Sequence, residues 1–282
     1  MSHADLPSLH GLRVIVTRPQ DYAQALSQTL TAAGAEVACF PALTIGPPSD
    51  PALLHQTLAQ LARYPFALFV SRNAVAAVAQ NWPGTHLAAE WPTATRVIAI
   101  GQPTARALMA ADLAPAIVPQ ERFDSETLLQ HPELQHLDGQ QILILRGNGG
   151  RELLHQEFRA RGAQVTLVEC YQRLPPGWPA AEFLALLTDP LPCVILITSG
   201  EGLDYLIDHL GTAAWPQLAQ SALITGGRRL ATLAAQRGFV GPILAASDPS
   251  DAAMLEALGE FSFARRRGEH GEGQEKGTRD KG

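Results

Sequence analysis

The chain repeats its own sequence at a separation of 128 residues. Residues 9–37 align with residues 137–165, and nine of the 29 aligned positions are identical. The same separation aligns the segment LFVSRNAV with LITSGEGL, so that Ser71 falls on Ser199. A repeat of this length is a domain-sized unit and not the short period of a solenoid. The sequence therefore predicts two similar domains.

Each copy alternates short apolar runs with stretches of helical periodicity. A buried-strand pattern at Val14–Val16 or Ile142–Leu145 precedes a polar turn and a helix, which Gly34 or Gly162 is expected to end. Alternating strands and helices predict parallel sheets covered by helices. The expected fold class is therefore α/β, with two similar parallel-sheet domains. A length of 282 residues suffices for two domains of ordinary size.

Lysine is almost missing from the chain. Lys276 and Lys281 are the two lysines among 21 lysine and arginine residues, and both lie in the last seven positions. This distribution excludes lysine Schiff-base chemistry, pyridoxal-phosphate attachment and a Walker A lysine from the body of the protein. An anion bound by the body must therefore meet arginine, hydroxyl groups or backbone N–H groups.

The C-terminal segment has a composition unlike the rest of the chain. Residues 264–282 are glycine-rich and almost free of apolar side chains, so we expect a disordered tail over residues 263–282. Six basic and four acidic residues give this segment +2, which leaves −6 − 2 = −8 for the body. That charge argues against a nucleic-acid-binding domain. Arg265–Arg267 could touch nucleic acid, but mixed charge favours a solvated tail.

Several other classes of site and location are disfavoured. Cys39, Cys170 and Cys193 are far apart and form no CxxC pair, which predicts reduced thiols and no cysteine-based zinc site. His131 and His136 fit no zinc spacing and are interpreted as surface residues, so no metal is predicted. The chain shows no membrane-length apolar run and no signal-peptide pattern at its N-terminus. We therefore expect a cytoplasmic protein that does not bind membranes.

Hydroxyl, arginine and glycine residues follow the predicted strands. Ligands of parallel sheets bind at the carboxyl ends of the strands, where helix N-termini present backbone N–H groups to anions. Six such strand ends indicate a ligand with several anionic groups, although simple helix capping explains any one of them. The candidate binding residues are Thr17, Arg18, Ser71, Asn73, Thr104, Arg146, Gly147, Ser199 and Arg228.

Motifs of rival functions are missing or incomplete. The GNGGR segment at 147–151 does not fit G-x-G-x-x-G, and the sequence contains no GxxxxGK[ST], HExxH or GxSxG motif. Dinucleotide binding, P-loop chemistry and zinc-protease chemistry are therefore not indicated. Tyr171 stands where the first copy has Leu43. A core tyrosine and a tyrosine lining an interdomain cleft are both open interpretations.

An ordered set of motifs resembles the uroporphyrinogen-III synthase family over about residues 9–258. The motifs are VTRP (16–19), FVSRNAV (69–75), AIGQPTA (99–105), FDSETLL (123–129), ILRGNGGRELL (144–154), ECYQR (169–173) and ITSGEGL (197–203). The resemblance implies a hydro-lyase that closes the linear tetrapyrrole hydroxymethylbilane into uroporphyrinogen III, with inversion of ring D and loss of water. It also implies that neither a metal nor an organic cofactor takes part.

The resemblance further implies how the chain is divided. Two extended linker strands would join the two α/β domains, with the substrate in the cleft between them. One domain would combine residues 1–40 with 173–262, and the other would comprise residues 41–172. The sequence repeat alone would instead place a boundary near Leu134, so the double crossing is implied by the resemblance only.

The resemblance also assigns roles to individual residues. Tyr171 matches the family's linker tyrosine and is expected to act as a general acid, or to bind the leaving hydroxyl, from an exposed position on the cleft wall. Arg228 stands where many members carry threonine and is expected to bind a carboxylate. The other matching positions are Ser71, Thr104, Arg146, Gly147 and Ser199.

Two further hypotheses remain beside the enzyme. A bilobal α/β protein that binds a small anion without catalysis would share the architecture, although such receptors are usually exported. A structural paralogue would keep the fold without activity. The expected partner is the linear tetrapyrrole, bound by a monomer without nucleic acid, and a transient contact with the preceding enzyme of the pathway is left open.

Overall fold

The computed structural model describes residues 6–119, 125–149 and 152–275, with backbone alone for residues 21 and 268–275. The chain divides into two compact units. Unit 1 contains the described parts of residues 1–44 and 175–282, and unit 2 comprises Ile45–Leu174. The chain therefore passes from one unit to the other twice, near residues 44 and 174.

Short strands and helices alternate along the described chain. The strands are β1 (Arg13–Val16), β2 (Glu36–Cys39), β3 (Thr44–Gly46), β4 (Phe66–Phe69), β5 (Arg96–Ala99), β6 (Gln141–Gly147), β7 (Gln164–Leu174), β8 (Cys193–Ile197), β9 (Ala222–Thr225) and β10 (Ile243–Ala245). The helices are α1 (Gln20–Ala32), α2 (Pro51–Ala59), α3 (Arg72–Gln80), α4 (Leu87–Glu90), α5 (Gln102–Ala110), α6 (Ser125–Leu128), α7 (Leu153–Ala160), α8 (Ala180–Thr188), α9 (Gly200–Ala219), α10 (Arg228–Gln236) and α11 (Asp251–Glu275).

Unit 1 is a five-stranded sheet in the order β10-β9-β8-β1-β2, and all of its pairings are parallel. Helices cover both faces, which explains why β1 is apolar at successive positions. Val14 and Val16 pack with α1 and α11, whereas Ile15 packs on the opposite face with α9 and α10. The α/β class expected from the sequence is confirmed in this unit.

Unit 2 is a second five-stranded sheet, in the order β3-β7-β6-β4-β5. The pairs β4–β5, β4–β6 and β6–β7 are parallel, and Ile117 adds an isolated parallel bridge to Ile98 of β5. Leu143 and Leu145 of β6 pack towards α3 and α5, whereas Ile142 and Ile144 pack towards α7. Alternate residues of the strand thus serve two cores.

The two sheets share strand order and register. The order β2-β1-β8-β9 in unit 1 corresponds to β7-β6-β4-β5 in unit 2. Val14 of β1 pairs with Val194 of β8, and Ile142 of β6 pairs with Phe66 of β4. Val14 and Ile142 stand 128 residues apart, and so do Phe66 and Val194.

Helix α11 corrects the expected limits of the C-terminal tail. The helix runs through Phe263 and continues to Glu275, so disorder beginning at residue 263 is a wrong prediction for its first residues. Arg266 donates to the hydroxyl and carbonyl oxygens of Ser8, at 3.2 and 3.1 Å, and Arg265 donates to the Gly11 carbonyl at 3.3 Å. These bonds attach the part of α11 that follows its buried apolar residues to the N-terminal residues. Residues 276–282 lie outside the described chain.

Length and apolarity decide whether a helix can cross a bilayer. A membrane-spanning helix needs about 20 consecutive, mainly apolar residues. Within the described ranges, no helix combines the length and the apolarity that a transmembrane span requires.

Candidate functional site

Tyr171 lies in the core of unit 2, and its predicted exposure is wrong. The side chain is 1% exposed and packs with the residues of α3 and α5. Its position follows from a bulge in β7, where Arg146 pairs with Glu169 but the next residue, Gly147, pairs with Tyr171. The extra residue, Cys170, resets the alternation of the strand, so that Cys170 and Tyr171 both turn into the same core.

The Tyr171 hydroxyl is hydrogen bonded inside the protein. Its oxygen lies 3.1 Å from the Oγ of Ser71, the residue that caps α3. Ser71 Oγ also accepts the Ala74 backbone N–H at 3.0 Å. The capping role expected of such serines is therefore present, and in unit 2 it is combined with a bond to a buried phenol.

Gly147 makes room for the tyrosine ring. A Cβ atom at this position would lie 2.6 Å from two ring carbons of Tyr171 and 3.0 Å from its hydroxyl oxygen. Gly147 is itself buried. The sequence made Gly147 a candidate binding residue at a strand end. In the structure, the group that approaches closely is Tyr171.

Arg173 and Asn148 complete the cluster, and the sequence analysis missed both. Arg173 Nη2 donates to the Tyr171 hydroxyl at 3.1 Å, and its guanidinium carbon lies 5.5 Å from the ring centroid. Arg173 Nη1 donates to the Asn148 carbonyl at 2.9 Å, and the Arg173 N–H donates to Asn148 Oδ1 at 2.6 Å. Residues two apart on a strand share a face, so the ECYQR motif could have identified Arg173.

Arg146 is held by the loop that follows its own strand. The side chain is largely buried, and its Nη1 lies 2.9 Å from Glu152 Oε1 while Nη2 donates to the Gly149 carbonyl. The hydrogen bond from Arg146 lowers the pKa of the Glu152 carboxyl below its usual value. Cys170 is a different case, because burial raises the pKa of its thiol to about 12 and leaves the thiol unreactive near neutral pH.

Two cavities in unit 2 border the loop after β6. One of about 280 Å³ is lined by the cationic side chains of Arg146 and Arg173 and by apolar residues such as Ile144. The other, about 370 Å³, shares Arg146 and adds the carboxylates of Glu152 and Glu169. The first cavity has the mixed lining of an apolar pocket with cationic groups, which suits an organic anion.

The remaining unit 2 candidates lie at the ends of neighbouring strands. Thr104, in the first turn of α5, is 3% exposed and therefore faces the interior. Asn73 is partly exposed in the first turn of α3, two residues after Ser71. The structure thus brings Ser71, Arg146 and Gly147 into one neighbourhood with Tyr171.

The unit 1 candidates contact their own surroundings. The Thr17 hydroxyl donates to the Leu196 carbonyl at 2.6 Å and is buried. Arg18 pairs with Asp251 at the start of α11. Ser199 caps α9 by accepting the Gly202 N–H at 3.0 Å, and Arg228 is exposed at the start of α10.

A metal site would need a cluster of suitable side chains. In the part of the chain that the structure describes, no three His, Cys, Asp or Glu residues lie close enough together to hold an ion.

Comparison with known proteins decides the family. A family model described as uroporphyrinogen-III synthase HemD matches residues 24–256. The chain is 34% identical over 250 residues to the uroporphyrinogen-III synthase of Escherichia coli K12, which covers 88% of this chain and 100% of that protein. It is 36% identical over 251 residues to the Salmonella typhimurium enzyme, with the same coverage. The chain belongs to the uroporphyrinogen-III synthase family.

Solved structures of uroporphyrinogen-III synthases share the fold. A mutant of the Thermus thermophilus enzyme matches with a TM-score of 0.61 at 18% identity, over 90% of this chain and 99% of that one. The Helicobacter pylori enzyme matches with a TM-score of 0.53 at 14% identity, over 86% and 96%. The resemblance drawn from the ordered motifs is confirmed, and the uroporphyrinogen-III synthase interpretation is favoured over a non-catalytic binding protein.

Proposed function

We propose that this chain closes hydroxymethylbilane into uroporphyrinogen III, with inversion of ring D and loss of water. The proposal extends to this chain the activity named for relatives that it matches along their whole length. The observation in the structure that carries it is the hydrogen-bonded cluster of Ser71, Tyr171 and Arg173 at the carboxyl edge of the unit 2 sheet. Membership of the family and this cluster together favour a cyclising lyase.

The reaction requires little covalent chemistry from the protein. The substrate ionises by losing a hydroxyl group, and its own pyrrole stabilises the cation that forms. A single weak acid can assist the departure of the hydroxyl, which matches the phenol of Tyr171 and the hydroxyl of Ser71. The protein must then hold the two ends of the linear tetrapyrrole in position for ring closure with inversion of ring D. We propose that neither a metal nor an organic cofactor is needed.

We propose that donors at several strand ends share the substrate's eight carboxylates. Arg18 and Arg146 already hold carboxylates of the protein, so their main role is to fix the loops that present backbone N–H groups. Ser199 and Arg228 are exposed and available for direct contacts. Thr17 and Thr104 are buried and shape the strand ends from within. Gly147 contributes by accommodating Tyr171, and Asn73 adds a partly exposed amide.

We further propose that the two units are copies of one ancestral domain joined by two linker strands. The 128-residue sequence repeat and the matching strand order and register support this view. Each unit combines strands from both copies. Hydrogen bonds join the two linkers near the crossings. In unit 1, Trp178 Nε1 donates to the Pro41 carbonyl at 2.9 Å. In unit 2, Gln172 Nε2 donates to the Pro47 carbonyl at 3.0 Å.

The test is product analysis with purified protein. Hydroxymethylbilane is incubated with the protein, and the type I and type III isomers are separated after oxidation to porphyrins. We expect type III to form faster than the spontaneous closure to type I. Type I alone, at the uncatalysed rate, would reject the enzyme. Titration with uroporphyrinogen III would then separate the two remaining hypotheses, because a binding protein retains affinity and an inactive paralogue without the site does not.

A further inference from the structure

We infer that Ser71 donates a proton to the departing hydroxyl and that Tyr171, which lies deeper in the protein, donates its own proton to Ser71. Arg173 positions the tyrosine. The inference rests on the proposed function. It changes the expected role of Tyr171, from a group that touches the substrate to the second member of a relay. The evidence is the exposure of the three residues and the direction of their hydrogen bonds.

Exposure separates the two hydroxyl groups. Tyr171 is 1% exposed and is among the largest fully buried side chains of the described chain. Ser71, 3.1 Å from it, is partly exposed at the end of β4. Ser71 is therefore the member of the pair that a ligand at this sheet edge can approach, whereas Tyr171 lies behind it.

The direction of the hydrogen bonds follows from the donors present. A guanidinium group can donate but cannot accept, so the Tyr171 oxygen accepts from Arg173. Among the described residues, Ser71 Oγ is then the remaining hydrogen-bond partner of this hydroxyl. Because a buried hydroxyl proton needs an acceptor, Tyr171 donates to Ser71.

Ser71 is thereby left as a donor. Its oxygen accepts two hydrogen bonds, from the Ala74 N–H and from the Tyr171 hydroxyl. Both of its lone pairs are occupied, so the Ser71 proton is available to an acceptor on the exposed side. The leaving hydroxyl of the substrate is such an acceptor.

The proton balance closes without another reactant. The carbon–oxygen bond of the substrate breaks with both electrons on oxygen, and this oxygen takes the Ser71 proton and leaves as water. Ser71 takes the proton of Tyr171, and the negative charge comes to rest on the phenolic oxygen, which faces the Arg173 guanidinium. When ring closure releases a proton from the attacking pyrrole carbon, this proton returns through Ser71 to Tyr171.

Arg173 is fixed in a position that favours proton transfer from Tyr171 to Ser71. Its guanidinium is fixed to the Asn148 carbonyl at 2.9 Å, while Asn148 Oδ1 accepts the Arg173 backbone N–H at 2.6 Å. The cation therefore stays beside the phenol and stabilises the charge that develops there. Because Arg173 acts on Tyr171, it is a positioning residue.

The experiment measures single-turnover and steady-state rates of type III formation for Arg173→Met, Arg173→Lys, Tyr171→Phe and the double variant Arg173→Met/Tyr171→Phe. We expect Arg173→Met to lower kcat by about tenfold or more, with KM within about twofold of the parent, the signature of a contribution made in the transition state. Arg173→Lys should recover part of the loss. The double variant should be no more than about twofold slower than Tyr171→Phe, since residues that act as one unit are not additive.

Ser71 is tested by a matched pair of variants. Ser71→Ala removes the donor and should reduce kcat at least as much as Tyr171→Phe, whereas Ser71→Thr keeps a hydroxyl group and the helix cap and should retain most of the rate. Arg161→Met is the structural control, because Arg161 bridges the carbonyls of Leu129 and Leu134 at 2.7 Å and should affect stability but not kcat.

Several outcomes would overturn the inference. Rate losses of Arg173→Met and Tyr171→Phe that multiply in the double variant would show independent roles. A raised KM with unchanged kcat in Arg173→Met would make Arg173 a ligand of the substrate. If circular dichroism shows that Arg173→Met is unfolded, Arg173→Gln replaces it with the same criteria. Failure of the parent protein to form type III would reject the proposed function itself, which separates the two conclusions.

Discussion

The two units share strand order and register but differ where the second strand of each copy ends. In unit 2 the end of β7 carries Tyr171, bonded to Ser71 and Arg173. The equivalent residue of unit 1 is Leu43, which is apolar and lies in the bend between β2 and β3. One scaffold therefore carries an apolar residue at this position in one unit and a polar cluster in the other. The chemistry of the protein is expected to be concentrated in unit 2.

A second pair of equivalent residues differs in the position of its carboxylate partner along the chain. Arg18 and Arg146 stand 128 residues apart, and each binds a carboxylate and a backbone carbonyl. Arg18 reaches Asp251 of α11, far along the chain, whereas Arg146 reaches Glu152, six residues away. Arginines at equivalent positions thus anchor a helix in unit 1 and a turn in unit 2.

Gly147 should be the most sensitive position in this comparison. Its equivalent in unit 1 is Pro19, so bulk is tolerated there, whereas in unit 2 a Cβ would meet the Tyr171 ring at 2.6 Å. We expect Gly147→Val to lower type III formation more than about a hundredfold by displacing the ring. Overpacking of this kind destabilises proteins by about 1–3 kcal/mol. Activity assays and urea unfolding measure the two effects.

Gly139 serves as the control, because its backbone conformation is constrained and the space around its Cβ position is open. Gly139 has a φ of +70° and nothing within 4 Å of its Cβ position. Gly139→Ala should therefore destabilise by about 1 kcal/mol through backbone strain and leave turnover unchanged. A Gly147→Val variant with the activity of the parent would show that the Tyr171 ring need not stay in place.

Tyr171→Phe and, at least equally, Ser71→Ala are expected to have the next largest effects. Removing the hydroxyl should lower turnover by about ten- to a hundredfold, the range of a positioned acid, while the ring still fills the core. Tyr64→Phe is the matched control, because Tyr64 packs against the same core and is not part of the cluster. An unchanged rate would make Tyr171 a core residue alone, and the family assignment would still stand.

The capping serines give a comparison of two matched variants. Ser71 and Ser199 each accept a backbone N–H three residues on, both at 3.0 Å, so Ser71→Ala and Ser199→Ala should each destabilise by about 1 kcal/mol. Ser71 alone is bonded to Tyr171, so we expect the larger loss of turnover, about tenfold more, from Ser71→Ala. Equal losses of turnover would mean that the serines act through capping only.

Local features of the fold were predictable from the sequence. The buried strands and the helix ends at Gly34 and Gly162 are confirmed, with φ values of +91° and +84°. These features depend on nearest neighbours: apolar runs, periodicity and the freedom of glycine at positive φ. The same holds for Ser71 and Ser199 as caps, since a cap is formed within one helical turn.

Features that depend on distant contacts could not be predicted from the residues. The burial of Tyr171 follows from the bulge at Cys170, which no local pattern announces. The hydrogen bond to Ser71 joins positions 100 residues apart in the chain. The hydrogen bonds that join Arg265 and Arg266 of α11 to residues near the N-terminus likewise link positions 254 and 258 residues apart in the chain. The double crossing between units was implied by the family resemblance alone.

The smallest expected effect concerns the two equivalent arginines. Each already has a carboxylate partner, so replacing one should weaken product binding by no more than about fivefold, or roughly 1 kcal/mol. Arg146→Met and Arg18→Met are compared with the parent, and exposed Arg228→Ala is added, in titrations with uroporphyrinogen III at fixed salt. A hundredfold loss from any one of them would replace distributed donors by a single dominant cation.

A titration of Glu152 shows whether Arg146 serves its own loop. The hydrogen bond from Arg146 lowers the pKa of this carboxyl, so the interaction is present above the ordinary carboxylate pKa and is lost as the pH falls through the lowered value. In Arg146→Met, the pKa of Glu152 measured by NMR should rise towards 4.5, the ordinary value. An unchanged pKa would mean that the pair does not form in solution and would leave Arg146 available to bind the substrate directly.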